Sequence, residues 1–368
     1  MLSGTKILDL TRVLAGPLCT MMLGDLGADV LKVERPDGGD ETRGWGPPFD
    51  ERGQSAYFLS VNRNKLGAAL DLDRDADREL LERLIAGADV VVDNYRRGTL
   101  ERRGLDPERF LAARPGLVWC TITGFGPDSD RPGYDFVVQA ERGWMSITGE
   151  PDGGPMKVGV ALADVLAGKD AAIAILGALV RRARTGRGGR VFVSLADSAA
   201  AALVNVAQNA LVTGHDARRW GNAHPNLVPY QLFDASDRPL VVAVGSDAQW
   251  LACARALELH TLADDARLRT NAGRLAHRDE IVSAMRARLR DRPAAEWLAR
   301  LERAGVPCGI VKSVLEALAG TDSSALTGVA PSVPGAVRFA PPGLDEHGAI
   351  VRERGWGAFE VRGPEREA

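Results

Sequence analysis

Residues 6–35 read KILDLTRVLAGPLCTMMLGDLGADVLKVER, and this stretch decides the fold class. KILDL is short and mostly apolar, as is typical of a buried strand. GPLCTMMLGDLGA then has the length and composition of a helix, and DVLKVER reads as a second strand. A strand, a helix and a strand in close succession form a βαβ unit, which implies that the two strands run parallel.

The same alternation continues along the chain. Further strands are predicted in LGAALDL (66–72), DVVVDNY (89–95), LVWCTITGFG (117–126) and RVFVSLADS (190–198). The helical segments between and after them are DADRELLERLIAGA (75–88, starting at an Asp cap), DPERFLAARP (106–115), a long helix from Ala163 to about Arg184, and AAAALVNVAQNALV (199–212). This order predicts an α/β fold with a mostly parallel sheet that is covered by helices on both faces.

A second unit follows a polar, proline-containing linker at residues 214–229. It is predicted to contain strand RPLVVAVGS (238–246), helix AQWLACARAL (248–257), two arginine-rich helices and strand GVPCGIV (305–311). GAVRFAPP (335–342) is predicted to be one more strand. A chain of 368 residues is too long for one ordinary core, so two domains are expected.

Composition narrows the class of protein. The chain is 45% apolar and 26% charged, which describes a soluble globular protein. Its net charge of −3 gives no general attraction to nucleic acid or to an anionic membrane, and its apolar windows are too short to span a bilayer. The N-terminus enters a strand at once, which leaves no room for a signal peptide. Because the four cysteines are scattered without a CxxC pair, we expect a reduced, cytoplasmic protein.

Basic residues follow three of the predicted strands. Arg12 comes after the first, Arg35 after the second, and Arg96 and Arg97 after DVVVDNY. Ligands of open α/β sheets bind beyond the carboxyl ends of the strands, and guanidinium groups match pairs of phosphate oxygens. We therefore predict a phosphorylated ligand at this edge, although any single arginine of this kind is more often a solvated surface residue.

Other chemistries lack their motifs. The first strand is not followed by GxGxxG, which weakens the hypothesis of a nicotinamide dinucleotide. The five histidines show no HxH or HExxH spacing, so no metal site is predicted. There is no GxSxG motif, and no cysteine has an obvious base partner nearby in the sequence.

Asp164 lies at a change of pattern, where an extended segment passes into the long helix. It is interpreted in two ways. It is a helix N-cap, a position that favours Asp. Alternatively, the helix N-terminus stabilises the ionised form of this carboxylate by ~0.3–1 kcal/mol. The Asp164 carboxylate then acts as a nucleophile towards an activated acyl group.

Several motifs occur in order and at matching distances along the chain. They are LDLTRVLAGPLCTMMLGDLGADVLKVERPDGGDETRGW (8–45), NRNKLGAALDL (62–72), VVDNYRRGTLERRGL (91–105), GYDFVVQA (133–140), ALADVLAG (161–168), RTGRGGRVFVSLADS (184–198), HPNLVPYQLFDASDRPLVVAVGSDAQW (224–250) and AGVPCGIVKSVLEAL (304–318). Together they resemble the class III CoA-transferase family, which includes formyl-CoA transferase, carnitine CoA-transferase and the related α-methylacyl-CoA racemases. The resemblance covers nearly the whole chain.

The resemblance implies a Rossmann-like large domain built from both ends of the chain, a smaller α+β domain, and an interlocked homodimer. On this basis residues 1–200 and 325–368 form the large CoA-binding domain. Residues 225–312 form the small domain, and residues 201–224 and 313–324 are linkers.

The resemblance also implies roles for individual residues. Asp164 matches the catalytic aspartate, which forms an aspartyl-CoA thioester while CoA moves from an acyl-CoA to a carboxylic acid. Coenzyme A enters as the acyl-CoA substrate, and no metal or redox cofactor is needed. The positions expected at the CoA cleft are Leu14, Ala15, Arg35, Leu70, Asp71, Leu72, Asn94, Tyr95, Arg96 and Arg102, with Tyr134 and Asp135 close to the reacting acyl group. Arg12 and Arg97 have no secure counterparts.

Two departures from the family separate the hypotheses. The small domain lacks the glycine run of formyl-CoA transferase, which argues against formate or oxalate as a substrate. The racemases need acid–base groups on both faces of the substrate and carry GHD, whereas this chain has GYD at Tyr134. A phenol with a pKa of ~10 suits proton transfer at neutral pH poorly. A CoA-transferase is therefore favoured over a 2-methylacyl-CoA racemase, and a catalytically silent CoA-binding protein is the third hypothesis.

Overall fold

The structure, a computed structural model, describes residues 1–361 and divides into two compact units. The first comprises Met1–Trp144, Lys157–Gly214 and the chain from Thr321 onward, and the second comprises Met145–Met156 and His215–Gly320. Residues 145–156 thus belong to the second unit, whereas the sequence assigned them to the large domain. Residues 362–368 of the predicted segment 325–368 lie outside the described residues.

A parallel sheet forms the centre of the first unit. Its six strands are β1 (Lys6–Leu10), β2 (Asp29–Glu34), β3 (Lys65–Ala69), β4 (Val90–Asp93), β5 (Val118–Thr123) and β6 (Gly189–Ser194). They lie in the order β3-β2-β1-β4-β5-β6, and every neighbouring pair is parallel. This is the strand order of a doubly wound, Rossmann-like fold. The predicted α/β class is confirmed.

The helices of both units are described in chain order. They are α1 (Ala15–Asp25), α2 (Ala56–Leu59), α3 (Asp75–Gly87), α4 (Pro107–Ala113), α5 (Asp135–Glu141), α6 (Trp144–Ile147), α7 (Leu162–Thr185), α8 (Leu195–Ala201), α9 (Val204–Thr213), α10 (Asp247–Ala256), α11 (His260–Asp264), α12 (Asn271–Ala276), α13 (Arg278–Leu289), α14 (Ala294–Arg303), α15 (Val314–Leu318), α16 (Gly348–Arg354) and α17 (Ala358–Val361). Short 3₁₀ turns occupy Glu41–Gly44, Glu101–Arg103, Ala266–Leu268 and Gly355–Gly357.

Both faces of the parallel sheet are buried, because successive side chains of a strand point to opposite faces. Ile7 and Val30 pack on one face with residues of α1 and α7. Leu8 and Leu31 pack on the other face with residues of α3 and α16. The near-continuous apolar strands read from the sequence are a consequence of this two-sided burial.

Three local predictions are wrong. Residues 199–212 are not one helix, because the chain bends by 70° between α8 and α9. Asp75 is not a cap: it is the first residue of α3, and the N-cap residue Arg74 makes no side-chain capping bond. Residues 335–342 form no strand. Instead, the Asn64 side-chain oxygen accepts hydrogen bonds from the backbone N–H groups of Arg338 (2.5 Å) and Phe339 (2.9 Å).

The end of the described chain covers the sheet edge at β3. The Asp345 carboxylate accepts a hydrogen bond from the Ala69 backbone at 2.7 Å, and His347 Nδ1 accepts one from the Gly67 backbone at 3.1 Å. The large unit is therefore built from both ends of the chain. A small hairpin of β10 (Ser323–Ser324) and β11 (Gly328–Val329) precedes this segment.

The second unit has its own sheet and core. Strands β7 (Tyr230–Asp234), β8 (Pro239–Ala243) and β9 (Cys308–Ile310) pair antiparallel in that order. Helices α10 to α14 pack on them around buried Trp250 and Trp297. This is the predicted smaller α+β unit.

Within residues 1–361, no single helix has the length and apolar character needed to cross a membrane. The bent pair α8 and α9 meets these criteria only when both helices are counted together.

Candidate active site

The candidate site lies at the carboxyl ends of β1 and β4, where the strand order of the sheet reverses. Arg12 follows β1 and Asn94 follows β4. Their loops are tied together, because the Arg12 backbone N–H donates to Asn94 Oδ1 (3.0 Å) and Asn94 Nδ2 donates to the Arg12 carbonyl (2.8 Å). A reversal of strand order leaves a crevice between such loops, and this is where open α/β sheets bind ligands.

A cavity of about 560 Å³ opens at this crevice. It brings together residues that are far apart in the sequence. Those predicted from the sequence are Arg12, Leu14, Ala15, Asn94, Tyr95, Arg96, Arg97, Tyr134 and Asp164. The sequence did not point to Trp45, Arg131, Arg190, Phe192 or Leu195, which also line it.

A second cavity, of about 390 Å³, adjoins the first and shares Arg12, Tyr95 and Arg96 with it. Its other predicted residues are Arg35, Leu70, Asp71 and Leu72. All the strand-end arginines singled out in the sequence therefore lie along one pair of adjoining cavities. Arg35 is oriented by a hydrogen bond of 3.0 Å from its Nε to the Gly39 carbonyl.

Arg102 lies outside both cavities, contrary to the sequence prediction. It is exposed on a 3₁₀ turn, and its guanidinium donates to Thr99 Oγ1 at 3.3 Å. Its neighbour Arg103 lines the second cavity instead. The motif LERRGL offers two adjacent arginines, and only the geometry of the turn decides which of them faces the cavity.

Asp164 is the third residue of α7, so its interpretation as the N-cap is wrong. The N-cap residue is Ala161, which makes no side-chain capping bond. Capping is done by Asp135, whose Oδ1 accepts a hydrogen bond from the Ala163 backbone at 2.8 Å. Gln139 holds the other oxygen of Asp135 at 2.7 Å. Asp135 lines neither cavity but lies next to the first turn that carries Asp164.

The path of the chain before α5 explains this contact. The backbones of Gly124 and Gly133 cross so closely that a Cβ on Gly124 would lie 2.4 Å from the Gly133 Cα. Only glycine permits this approach. The crossing returns the loop after β5 to the strand end, and Tyr134 and Asp135 follow there at the start of α5.

The environment of Asp164 favours its protonated form. Burial, and secondly the negative charge of Asp135, raise the pKa of Asp164 from 3.8 to about 7. Burial and this like charge therefore oppose ionisation, and their effect on the pKa of Asp164 is opposite to the one expected of the helix N-terminus. Among residues 1–361, no hydrogen bond to the Asp164 carboxylate is found.

These features describe a reactive carboxylate at a cavity wall. A partly buried carboxylate without hydrogen bonds is poorly stabilised as an anion, which makes it a better nucleophile once deprotonated. Arginines line the adjoining cavity, as an anionic ligand requires. Within residues 1–361, no group of His, Cys, Asp and Glu side chains has a metal-binding arrangement.

The chain matches the family model of CoA-transferase family III over residues 2–338. It belongs to this family. It is 44% identical to succinyl-CoA:glutarate CoA-transferase of Mus musculus over 85% of this chain and 72% of that protein. It is 42% identical to succinate–glutarate CoA-transferase of Agrobacterium fabrum over 86% of this chain and 82% of that protein. Both are CoA-transferases, and so is this protein.

The fold agrees with this assignment. The crystal structure of a CaiB/BaiF family protein from Brucella suis superposes with a TM-score of 0.85 at 40% sequence identity. The match covers 96% of this chain and 98% of that chain. The resemblance found in the sequence is thus confirmed for both family and fold.

Sequence reasoning missed two aromatic residues of this CoA-transferase. Trp45 lines the first cavity and packs edge-on against Tyr57, with ring centroids 5.1 Å apart. Burial, and then the charges of Asp164 and Asp135, raise the pKa of Tyr57 to about 12. Tyr57 is therefore a neutral phenol near Asp164. Neither residue lies at a strand end, so the strand-end pattern did not indicate them, although Trp45 is the last residue of the motif 8–45.

Proposed function

We propose that this CoA-transferase moves CoA between carboxylic acids through a covalent thioester on Asp164. The observation that carries the proposal is the Asp164 carboxylate itself. It lies on the wall of the strand-end cavity, has no hydrogen-bond donor among the described residues, and has its pKa raised to about 7. Because burial disfavours the charged carboxylate, conversion to a neutral acyl derivative is more favourable for Asp164 than for a solvent-exposed aspartate.

The transfer consists of four acyl exchanges. An Asp164 oxygen attacks the donor thioester carbonyl, the C–S bond breaks, and a mixed anhydride and CoA thiolate result. The thiolate attacks the aspartyl carbonyl and releases the donor carboxylate, which leaves an aspartyl-CoA thioester. The acceptor carboxylate attacks this thioester, expels the thiolate and forms a second mixed anhydride with Asp164. The thiolate then attacks the acceptor carbonyl of this anhydride, which gives the new acyl-CoA. Asp164 is regenerated without an oxidant, a reductant or a net proton.

Protein groups around the two cavities suit the substrate. Leu70 and Leu72 give the second cavity apolar walls for an adenine ring, and Arg12, Arg35 and Arg96 provide guanidinium groups for phosphates. Arg12 and Arg96 line both cavities, so they lie on the path from the adenine end to Asp164. Asn94 fixes the loop that carries Arg12.

We propose short dicarboxylic acids, as CoA thioesters and as free acceptors, for the substrate class. The names of the relatives from Mus musculus and Agrobacterium fabrum support this, because they specify succinate and glutarate. The first cavity also carries Arg131 and Arg190. Arg131 is paired with Glu141 and Arg190 lies 3.7 Å from Glu108, so a second carboxylate of the substrate would compete with these acids for the guanidinium groups.

The interlocked homodimer is also proposed. Helix α9 buries none of its residues, yet Val204, Leu211 and Val212 on it are large apolar side chains that are 69%, 78% and 74% exposed. An apolar helix left uncovered in one chain is typical of a subunit interface. Light scattering should give the mass of a dimer, and Leu211→Glu together with Val212→Glu should weaken it. The cytoplasmic location stays a prediction.

Trapping the covalent intermediate tests the function. The protein is incubated with succinyl-, glutaryl- and acetyl-CoA, quenched rapidly, and examined by intact-protein and peptide mass spectrometry. We expect a hydroxylamine-sensitive CoA adduct on the peptide that contains Asp164, with a dicarboxylic thioester as the best donor. Asp164→Ala should lose the adduct and lower transfer by at least about 10³-fold.

Asp170→Asn is the matched control. Asp170 lies on the same helix, accepts a hydrogen bond from Ser198 at 2.6 Å and lines neither cavity. Its substitution should leave adduct and rate intact. The mechanism is overturned if a donor turns over without an adduct and Asp164→Ala keeps its rate. Exchange of the α-proton for deuterium without an acceptor acid would instead indicate a racemase.

A further inference from the structure

Val13 has a backbone conformation that a valine rarely adopts. Its φ angle is +71°, in the left-handed region. For a β-branched residue this is a true outlier, which persists only where the surrounding structure enforces it. Val13 lies between β1 and α1 and lines the same cavity as Asp164.

Side chains hold the backbone of the surrounding loop at Thr11, at Arg12 and at the Val13 N–H group. The Thr11 N–H donates to Asp9 Oδ1 (2.9 Å), and the Thr11 carbonyl accepts from Lys32 Nζ (2.8 Å). Asn94 binds both backbone groups of Arg12. The Val13 N–H points between the two carboxylate oxygens of Asp40, at 3.2 and 3.3 Å. Side chains from other parts of the sheet therefore impose the strained turn.

Asp40 and Lys32 form a fully buried ion pair beneath this turn. Their charged atoms are 3.1 Å apart, and both side chains are 0% exposed. Thr42 adds two hydrogen bonds to the same carboxylate, from its backbone N–H (3.1 Å) and its hydroxyl (2.8 Å). A buried pair of this kind adds little net stability, because the desolvation of the two charges offsets their attraction, but it restricts the geometry of the groups around it.

The position of the turn matters for the reacting end of the cavity. Leu14 and Ala15 line only the cavity that contains Asp164. α1 begins at Ala15 and packs closely on α7, one turn beyond Asp164, where a Cβ on Gly168 would lie 2.6 Å from the Ala15 carbonyl oxygen. A shift of Val13 therefore moves the wall that faces the nucleophile.

We propose that Asp40 is a positioning residue: with Lys32 it holds Val13 in its left-handed conformation and so sets the wall of Leu14 and Ala15 opposite Asp164. The inference rests on the proposed function of Asp164. Asp40 itself lines the second cavity but contributes to the reaction through the Val13 backbone.

Rescue by glycine tests this, because glycine adopts a positive φ without the ion pair. Asp40→Asn should lower kcat by about tenfold or more while changing the KM for succinyl-CoA less, since a misplacement near 1 Å is costly at a reacting centre. Adding Val13→Gly to Asp40→Asn should restore kcat to within about threefold of the wild-type value. If Asp40→Asn does not fold, because it leaves the charge of Lys32 buried without a partner, the double variant Lys32→Met/Asp40→Asn removes both charges. The same comparison is then made on this double variant with and without Val13→Gly.

Asp25→Asn is the matched control. Asp25 is equally buried, pairs with Arg63 at 2.7 Å and lines neither cavity. Its loss should lower Tm but leave kcat per folded enzyme unchanged, and Val13→Gly should not restore its Tm. The inference is overturned if folded Asp40 variants keep full kcat, or if Val13→Gly fails to rescue them. A wild-type protein without an Asp164 adduct would overturn the proposed function instead.

Discussion

The Asp135 carboxylate accepts a hydrogen bond from the Ala163 backbone at 2.8 Å, one residue before Asp164. The two carboxylates therefore share the start of one helix in different roles. Asp135 accepts from an N–H group of the first helical turn, and no hydrogen bond to the Asp164 carboxylate is found among the described residues. Asp135 also adds a like charge. Burial and, secondly, this like charge both raise the pKa of Asp164.

The activity should depend on pH through Asp164. Because burial and Asp135 raise its pKa to about 7, the carboxylate needed for attack is a minor species in acid. We expect kcat/KM to rise about tenfold per pH unit below 7 and to level off above it, since this ratio reports groups of the free enzyme. A profile that is flat from pH 5 to 8 would contradict this assignment.

Asp135→Asn should move that midpoint to lower pH. The substitution removes the like charge, which is the second cause of the raised pKa of Asp164, and keeps an oxygen that accepts from Ala163. The measurement is kcat/KM against pH for both proteins. Asp170→Asn is the control, because Asp170 lies on the same helix as Asp164 but lines neither cavity. Its profile should match that of the wild type.

Asp164→Asn should make the protein more stable at alkaline pH. The folded-state pKa of about 7 lies above the ordinary 3.8, so between these values the folded chain holds a proton that the unfolded chain has lost. Stability therefore declines as the pH rises through this window. We expect the variant to gain on the order of 2 kcal/mol at pH 8 and almost nothing at pH 3.5, measured by urea unfolding. An equal gain at both pH values would point to packing rather than ionisation.

Arg103, rather than Arg102, should contribute to binding of the CoA portion. Arg103→Ala should raise the KM for succinyl-CoA by ~5–10-fold with little change in kcat, because a charged contact remote from the reaction stabilises ground and transition states alike. Succinyl-pantetheine, which lacks the adenosine phosphates, should not distinguish the variant from the wild type. Arg102→Ala is the matched neighbour and should behave as wild type with both substrates. If Arg102→Ala raises the KM for succinyl-CoA and Arg103→Ala does not, Arg102 is the residue that binds CoA, as the sequence predicted.

The parallel sheet could be predicted from the sequence because two-sided burial makes most positions of the central strands apolar. KILDL and DVVVDNY carry that signal without help from distant residues. The break between α8 and α9 could not be predicted, because the alanines of this segment favour a continuous helix, whereas Val204 has a φ of +41° where the chain bends. The strand predicted at residues 335–342 does not form. The backbone N–H groups of Arg338 and Phe339 donate to the side chain of Asn64 instead of to a neighbouring strand.

The candidate site was predictable to a similar extent. Strand ends are set by topology, so the order of strands and helices in the sequence was enough to place Arg12, Arg35 and Arg96 together. The charge state of Asp164 could not be predicted, since it depends on Asp135 arriving from another helix through the crossing of Gly124 and Gly133. Long-range contacts of this kind leave no periodic signal in the sequence.

Two glycines of α7 should respond in opposite ways to alanine. At Gly177 a Cβ would meet nothing within 4 Å, so Gly177→Ala should stabilise the protein by about 0.5–1 kcal/mol through helix propensity. At Gly168 the same Cβ would lie 2.6 Å from the Ala15 carbonyl oxygen, and Gly168→Ala should destabilise by roughly 1–3 kcal/mol. Because Ala15 lines the cavity with Asp164, kcat should fall in Gly168→Ala alone. Thermal unfolding and initial rates of the two variants check this, and equal stabilisation of both would show that α1 does not press on α7.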